Sequence, residues 1–149
     1  HAAASARPIV AAQNEYNLLV RRAEEELLPA TQHLGVGFFA GAPLAQGVLT
    51  GKYQSHIPST SRGANGHRNA EVQGYLDERI LSIVDALCTA AEGLGISPAT
   101  TALVWARDRA GVTAAIVGVR HPEQWNEIID SEKVRLPRAI LDALDDISS

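Results

Sequence analysis

Three short runs of apolar residues limit what this chain can fold into. They cover 9–12, 36–40 and 114–118, and none of them alternates apolar with polar positions. Uninterrupted apolar strands are typical of parallel sheets that are covered on both faces. Helical patterns separate the runs, so the order strand–helix–strand–insertion–helix–helix–strand–helix–helix predicts parallel βα units and an α/β fold.

The predicted helices are marked by apolar spacing, by capping residues or by both. Two of them cover 24–34 and 76–94. Three more begin at Ser97-Pro98, His121-Pro122 and Pro137. In the first of these helices, Pro29 must lie near the first turn, because a proline inside the helix would break it. Residues 54–74 carry no periodicity, and so long a connection is expected to be functional or mobile.

Three strands are too few for a complete parallel sheet. They would leave two open edges and much uncovered apolar surface, so we expect part of a larger α/β unit. The 149 residues begin at His1 without an initiator Met, which we interpret as a processed, truncated or partly resolved product.

Composition excludes several classes of function. A pI near 5.7 and a net charge of −4 argue against a nucleic-acid partner, which requires clustered Lys and Arg. The single cysteine, Cys88, cannot form an internal disulfide, which favours a reducing, cytoplasmic location. No apolar run approaches the roughly 20 residues that span a bilayer, and no secretory signal follows His1, so no membrane partner is expected.

The common catalytic signatures are missing from the chain. It has no phosphate-binding Gly-x-x-x-x-Gly-Lys-Ser/Thr loop, no Gly-x-Ser-x-Gly elbow and no Cys-x-x-Cys pair. The five histidines are not paired at metal-ligand spacing, so no metal site is predicted. Cys88 lies between apolar positions of a predicted helix and is interpreted as a small buried filler.

The informative segments follow the predicted strands, because ligands of parallel α/β folds bind at the carboxyl ends of strands. In 13–17, the Gln13 carboxamide could bind a planar amide, or Asn14 and Asn17 could simply cap the loop. In 41–53, glycines with Lys52, and Arg62 beyond it, suit a diphosphate, although loop cations are often only solvated.

The third segment, 118–124, joins a strand end to a helix N-terminus. Free N–H groups and the helix dipole favour an anion there, and the Arg120 guanidinium offers a planar fork for a phosphate. The alternative is an arginine that only caps local carbonyl groups.

Four motifs in this order make the chain resemble the aldo-keto reductases. They are Gln-Asn-Glu-Tyr-Asn-Leu-Leu at 13–19, Pro-Leu-Ala-x-Gly-x-Leu-Thr-Gly-Lys-Tyr at 43–53, Leu-Gly-Ile-Ser-Pro-Ala at 94–99 and Val-Gly-x-Arg-x-Pro-Glu-Gln at 117–124. The chain is most similar to the branch that contains the potassium-channel beta subunits and related bacterial reductases. The resemblance extends from about Pro8 to Ile147.

The resemblance implies an α/β fold that is the C-terminal part of a (β/α)8 TIM barrel, with strands six to eight and their helices. Residues 1–149 would then be a partial barrel that is incomplete on its N-terminal side. It also implies an oxidoreductase that binds NADP(H) and reduces a small carbonyl substrate, an aldehyde or ketone, to an alcohol.

The resemblance further assigns cofactor contacts. Gln13 would hold the nicotinamide carboxamide, and Gly118, Arg120, Gln124 and Glu127 the adenosine end, with Arg120 near the 2′-phosphate. The remaining expected contacts run along the nicotinamide and diphosphate or close over the cofactor: Gly41, Ala42, Pro43, Leu44, Ala45, Gln46, Lys52, Thr60 and Arg62.

The chain departs from the family pattern at two positions. Gly41 stands where the family places an aromatic ring on the nicotinamide, and Ile128 stands where an Asn often contacts adenine. Asn126 lies on another side of the helix and cannot replace that contact.

In the family that the chain resembles, the catalytic Asp, Tyr, Lys and His lie on the first four strands, which we expect to be absent from these 149 residues. Consequently no residue is assigned a catalytic role, Tyr16, Tyr53 and Tyr75 included, and the isolated chain is expected to be inactive. Two alternatives remain open. One is a redox-sensing regulatory barrel of the channel beta-subunit type, and the other is a half-barrel that associates with itself.

Overall fold

The computed structural model describes residues 8–54, 64 and 77–149. Its strands are β1 (Ala11–Glu15), β2 (Gly37–Gly41) and β3 (Ala114–Ile116). Its α-helices are α1 (Leu27–Leu34), α2 (Glu78–Leu94), α3 (Pro98–Arg107), α4 (Pro122–Ser131) and α5 (Arg138–Ser148). Two 3₁₀ segments, Arg22–Glu24 and Ala45–Thr50, follow β1 and β2.

The three strands form one parallel sheet in the order β1–β2–β3, which confirms the predicted α/β class and the order of elements. The strands do not begin and end where the apolar runs do, because hydrogen-bonded pairing with β2 determines the ends of β1 and β3. Gly41, the last residue of β2, pairs with both Glu15 and Ile116, so β1 extends beyond its apolar run and β3 stops before Gly118.

Local signals place most helix ends correctly. Ser97 caps α3 by accepting a hydrogen bond from the backbone N–H of Thr100, and Gly95 ends α2 in the left-handed conformation. The helix predicted over 24–34 is interrupted, since α1 begins only at Leu27. Pro29 is therefore its third residue, where a missing N–H costs no intrahelical hydrogen bond.

The core lies between the sheet and α3, whose residues 100–106 are all buried. The outer strands are less well covered: Val10, beside β1, is 77% exposed and Ile116 in β3 is 42% exposed. This exposure matches the expectation that a three-stranded sheet leaves apolar surface open. Within the described ranges, no single helix is both long and apolar enough to cross a membrane. Among the helices of the described residues, the pair α2 and α3, bent by 100°, passes that test of length and composition when taken together.

A buried aromatic pair with charged partners ties the loop after β1 to α3 and α5. Tyr16 and Trp105 are fully buried, and their rings stack with centroids 5.6 Å apart. The Tyr16 hydroxyl donates to Glu24, and the Trp105 indole N–H donates to Asp145 at 2.9 Å. The guanidinium groups of Arg21 and Arg109 lie 5.4 and 5.0 Å from the Trp105 ring, over which they make cation–π contacts.

Glu24 makes the stability of this cluster dependent on pH. Burial acts to raise the pKa of Glu24, but hydrogen bonds from Arg21 and Tyr16 and the nearby arginine charges outweigh it and lower the pKa. A lowered pKa stabilises the fold above the ordinary value of 4.5, and this contribution is lost as the pH falls through the lowered value.

We therefore expect Glu24→Gln to flatten the loss of stability below about pH 4.5. Urea unfolding at a series of pH values measures this, with the exposed neighbour Glu25 replaced by Gln as the control. An unchanged acid profile for Glu24→Gln would contradict the assignment.

Candidate functional site

A cleft of about 350 Å³ opens beside the carboxyl ends of β2 and β3. The loop after β2, the start of α3, the segment 116–121 and one side of α4 form its walls. Nine of the predicted site residues line it: Ala42, Pro43, Leu44, Gln46, Lys52, Gly118, Arg120, Gln124 and Glu127. The second and third of the predicted binding segments thus meet in one cavity.

The other predicted residues do not line this cleft. Ala45 belongs to the same loop but is fully buried, while Thr60 and Arg62 lie outside the described residues. Gln13 and Gly41 lie close to each other, since an ideal Cβ on Gly41 would be 3.5 Å from Gln13 Nε2. The structure therefore brings Gln13 next to Gly41 but not into the cleft.

Several lining residues were missed at the sequence level. They are Gly47, Thr50, Ala99, Thr100, Leu103, Ile116, Val117, Val119 and His121. Ala99 and Thr100 line the cleft from the first turn of α3, and the motif at 94–99 marks the start of that helix. The motif identified a helix cap, but nothing local indicated that the capped end faces a cavity.

The loop after β2 has an unusual backbone. Ala42, Ala45 and Gln46 have φ of 48°, 46° and 57°, a left-handed conformation that is costly for residues with a Cβ. Gly47 follows at 93°, and its N–H donates to the carbonyl of Leu44 at 2.8 Å. Strain of this kind concentrates at functional sites, and turns of mixed hand can present backbone N–H groups to an anion.

Any side chain at position 47 is expected to destabilise the fold. An added Cβ would be strained at this φ and would lie 2.5 Å from Lys52 Nζ, so the lysine would have to move. We expect Gly47→Ala to lower the free energy of unfolding by about 1 kcal/mol.

Gly93 in α2 provides the matched control. Nothing lies within 4 Å of its added Cβ, so Gly93→Ala is expected to raise stability by about 0.5–1 kcal/mol. Denaturant unfolding of both variants tests the pair, and changes of equal sign would contradict it.

Two cations border the cleft. Lys52 is exposed, and its ammonium group lies beside Gly47 and 5.1 Å from the ring centre of Tyr53. Arg120 immediately precedes the N-cap residue of α4, and its backbone N–H donates to Gln124 Oε1 at 2.9 Å. On α4, the Glu127 carboxylate accepts a hydrogen bond from the Ser97 hydroxyl, which links this helix to the start of α3.

The remaining candidate groups do not form a reactive centre in the described part of the chain. Burial and the hydrogen bond to Glu24 raise the pKa of Tyr16, whose side chain lies fully inside the core. Burial, followed by the charge of Asp85, raises the pKa of the half-buried Cys88, which agrees with its interpretation as a filler. Residues 8–54, 64 and 77–149 contain no cluster of three or more side chains that could hold a metal ion.

Comparison with known proteins gives a consistent result. The model of the Aldo/keto reductase family matches residues 2–149. The chain is 34% identical over 139 residues to the uncharacterized oxidoreductase YrpG of Bacillus subtilis, covering 93% of this chain and 40% of that protein.

Two further relatives cover similar regions. The L-glyceraldehyde 3-phosphate reductase of Escherichia coli O157:H7 is 38% identical over 130 residues, covering 83% of this chain and 37% of that protein. A probable voltage-gated potassium channel subunit beta of Arabidopsis thaliana is 37% identical over 123 residues, covering 80% and 37%. The chain thus spans about two fifths of the length of these relatives.

Proposed function

Because this chain belongs to the aldo/keto reductase family, we propose that it is the cofactor-binding part of an NADP(H)-dependent reductase of aldehydes or ketones. The observation that carries the proposal is the cleft. It joins a left-handed, glycine-bearing loop to an arginine at a helix start, at the carboxyl ends of two neighbouring parallel strands. Backbone N–H groups, a helix N-terminus and a guanidinium are suited to phosphate groups.

In this proposal, the dinucleotide extends along the strand ends. Gln13, beside Gly41, would bind the nicotinamide carboxamide, and residues 41–46 would lie along the nicotinamide and diphosphate. Lys52, together with Thr60 and Arg62, would close over the cofactor. When bound, the nicotinamide supplies the hydride for carbonyl reduction.

The far end of the cleft would hold the adenosine. Gly118 allows close approach, Arg120 would pair with the 2′-phosphate, and Gln124 holds the backbone that carries Arg120. Glu127, oriented by the Ser97 hydroxyl, and the apolar Ile128 would border the adenine.

We further propose that the sheet is strands six to eight of a (β/α)8 barrel. The outer strands leave Val10 and Ile116 exposed, as does α4 at Trp125, which is 54% exposed. Additional barrel strands would cover these groups, as would a second copy of the chain, and sedimentation distinguishes the two. No residue of this chain is assigned a catalytic role by its resemblance to the family, and we propose that the 149 residues alone do not catalyse reduction.

A regulatory barrel is the second candidate, because relatives include proteins named as potassium channel beta subunits. Gly41 offers no ring to stack on the nicotinamide, which would suit slow turnover. An added Cβ there would lie 3.1 Å from the Asn14 carbonyl oxygen, so a larger side chain needs a small backbone shift. Turnover of the barrel-length protein with and without Gly41→Trp separates the candidates, since a true reductase would already turn over rapidly with Gly41.

Titration of the chain with NADPH, followed by nicotinamide fluorescence, tests the proposal. We expect saturable enhancement that excess NADP⁺ reverses, and no reduction of a simple aromatic aldehyde by the 149 residues. The absence of saturable binding would refute the cofactor site, and turnover by this chain would refute its proposed inactivity.

A further inference from the structure

Asn17 is a fully buried polar residue that connects the loops after β1 and β2. Its Nδ2 donates to the carbonyl of Ala42 at 3.0 Å, while its Oδ1 accepts from the backbone N–H groups of Leu19 and Val20 at 2.9 and 3.0 Å. Two N–H donors on one side and a carbonyl on the other define the orientation of the amide. Capping of the loop by Asn17, one of the two interpretations of the segment 13–17, agrees with these contacts, but the side chain has a second partner 25 residues away.

The carbonyl that Asn17 holds is the origin of the left-handed loop. Ala42 is the first residue of the loop with positive φ, and its carbonyl also accepts from the N–H of Ala45 at 2.9 Å. The adjacent carbonyl of Gly41 accepts from the N–H of Tyr16 at 3.0 Å. Tyr16 and Asn17 therefore hold the consecutive carbonyl groups of Gly41 and Ala42 by hydrogen bonds, at the point where β2 ends and the loop that lines the cleft begins.

We propose that Asn17 is a positioning residue for the loop 42–47. It does not line the cleft, and it acts by holding the Ala42 carbonyl, so that this alanine stays left-handed and the turn closes through Ala45. Alanine has no intrinsic preference for this conformation, so a tertiary contact must supply one. That the loop receives a dinucleotide rests on the proposed function, whereas the role of Asn17 in holding the loop does not.

Asn17→Asp is the sharpest test, because an ionised aspartate keeps the size and the two accepted hydrogen bonds but has no proton to donate to Ala42. In the unliganded chain, we expect the amides of Ala45 and Gly47 to exchange with deuterium about tenfold faster, the factor expected for loss of one buried hydrogen bond. Amides of α3 should keep their rates. NADPH should bind about tenfold more weakly.

Asn14→Asp is the matched control, since Asn14 is exposed and its Oδ1 only accepts from the neighbouring N–H of Glu15. Ala42→Gly added to Asn17→Asp should recover part of the NADPH affinity, because glycine adopts the left-handed conformation without steric cost. If the buried carboxylate prevents folding, the neutral Asn17→Ser variant, too short to reach Ala42, replaces it.

Unchanged exchange at Ala45 and Gly47, or equal acceleration in α3, would overturn the positioning role. If the unmodified chain fails to bind NADPH, the proposed function fails, while the exchange pattern still decides the role of Asn17.

Discussion

Replacing Trp105 by Ala is expected to lower the free energy of unfolding by about 3–5 kcal/mol, the cost of removing a large buried aromatic side chain. Trp105 is fully buried and stacks on Tyr16. The substitution also removes the indole N–H that Asp145 accepts and the ring beneath Arg21 and Arg109. The loss should therefore lie in the upper part of that range, because Asp145 loses one hydrogen-bond donor and both arginines lose the ring that they contact.

The chain contains a matched control in its second tryptophan. Trp125 on α4 is 54% exposed, so Trp125→Ala should change stability by less than about 1 kcal/mol. Urea unfolding followed by circular dichroism measures both variants, since each removes one of the two fluorescent indoles. Equal losses for the two substitutions would show that the Tyr16–Trp105 pair is not the centre of the core.

The second large effect is expected in ligand binding. Arg120→Ala should weaken NADPH binding about tenfold to a hundredfold, because a hydrogen bond to a charged group contributes roughly 1.5–3 kcal/mol. NADH, which lacks the 2′-phosphate, should lose much less affinity. The loss should shrink at high salt, since Arg120 is exposed and its field is screened.

Arg135→Ala controls for the change in net charge. Arg135 is also exposed, but its guanidinium contacts the carbonyls of Glu132 and Val134 after α4 and does not line the cleft. Its replacement should leave both affinities within about twofold. Equal losses for NADPH and NADH in Arg120→Ala would exclude a 2′-phosphate contact.

The parallel arrangement could be predicted from the sequence because uninterrupted apolar runs and capping residues are local signals. Ser97-Pro98 and Gly95 show this, since each acts through neighbours within a few residues. Strand ends could not be predicted in the same way. They depend on which residues of β2 are available as partners, and Gly41 decides where both β1 and β3 stop pairing.

Two of the segments that line the cleft could be predicted from the sequence, but their backbone conformation and their neighbours in the cleft could not. Ala42 and Ala45 are left-handed although alanine disfavours that conformation, because contacts such as the bond from Asn17 decide it. The bond between Arg109 and Asp145 spans 36 residues, so no sequence window contains both partners. The position of Leu103 in the cleft could not be predicted either, since its neighbours there come from distant segments of the chain.

We propose that the cleft between the loop after β2 and the start of α4 binds the dinucleotide. Titrating the ¹⁵N-labelled chain with NADPH and following its amide resonances tests this most directly. We expect saturable shifts concentrated at 41–52 and 118–124, with the amides of α5 unaffected. Shifts confined to other surfaces, or none at saturating NADPH, would contradict the assignment of this cleft.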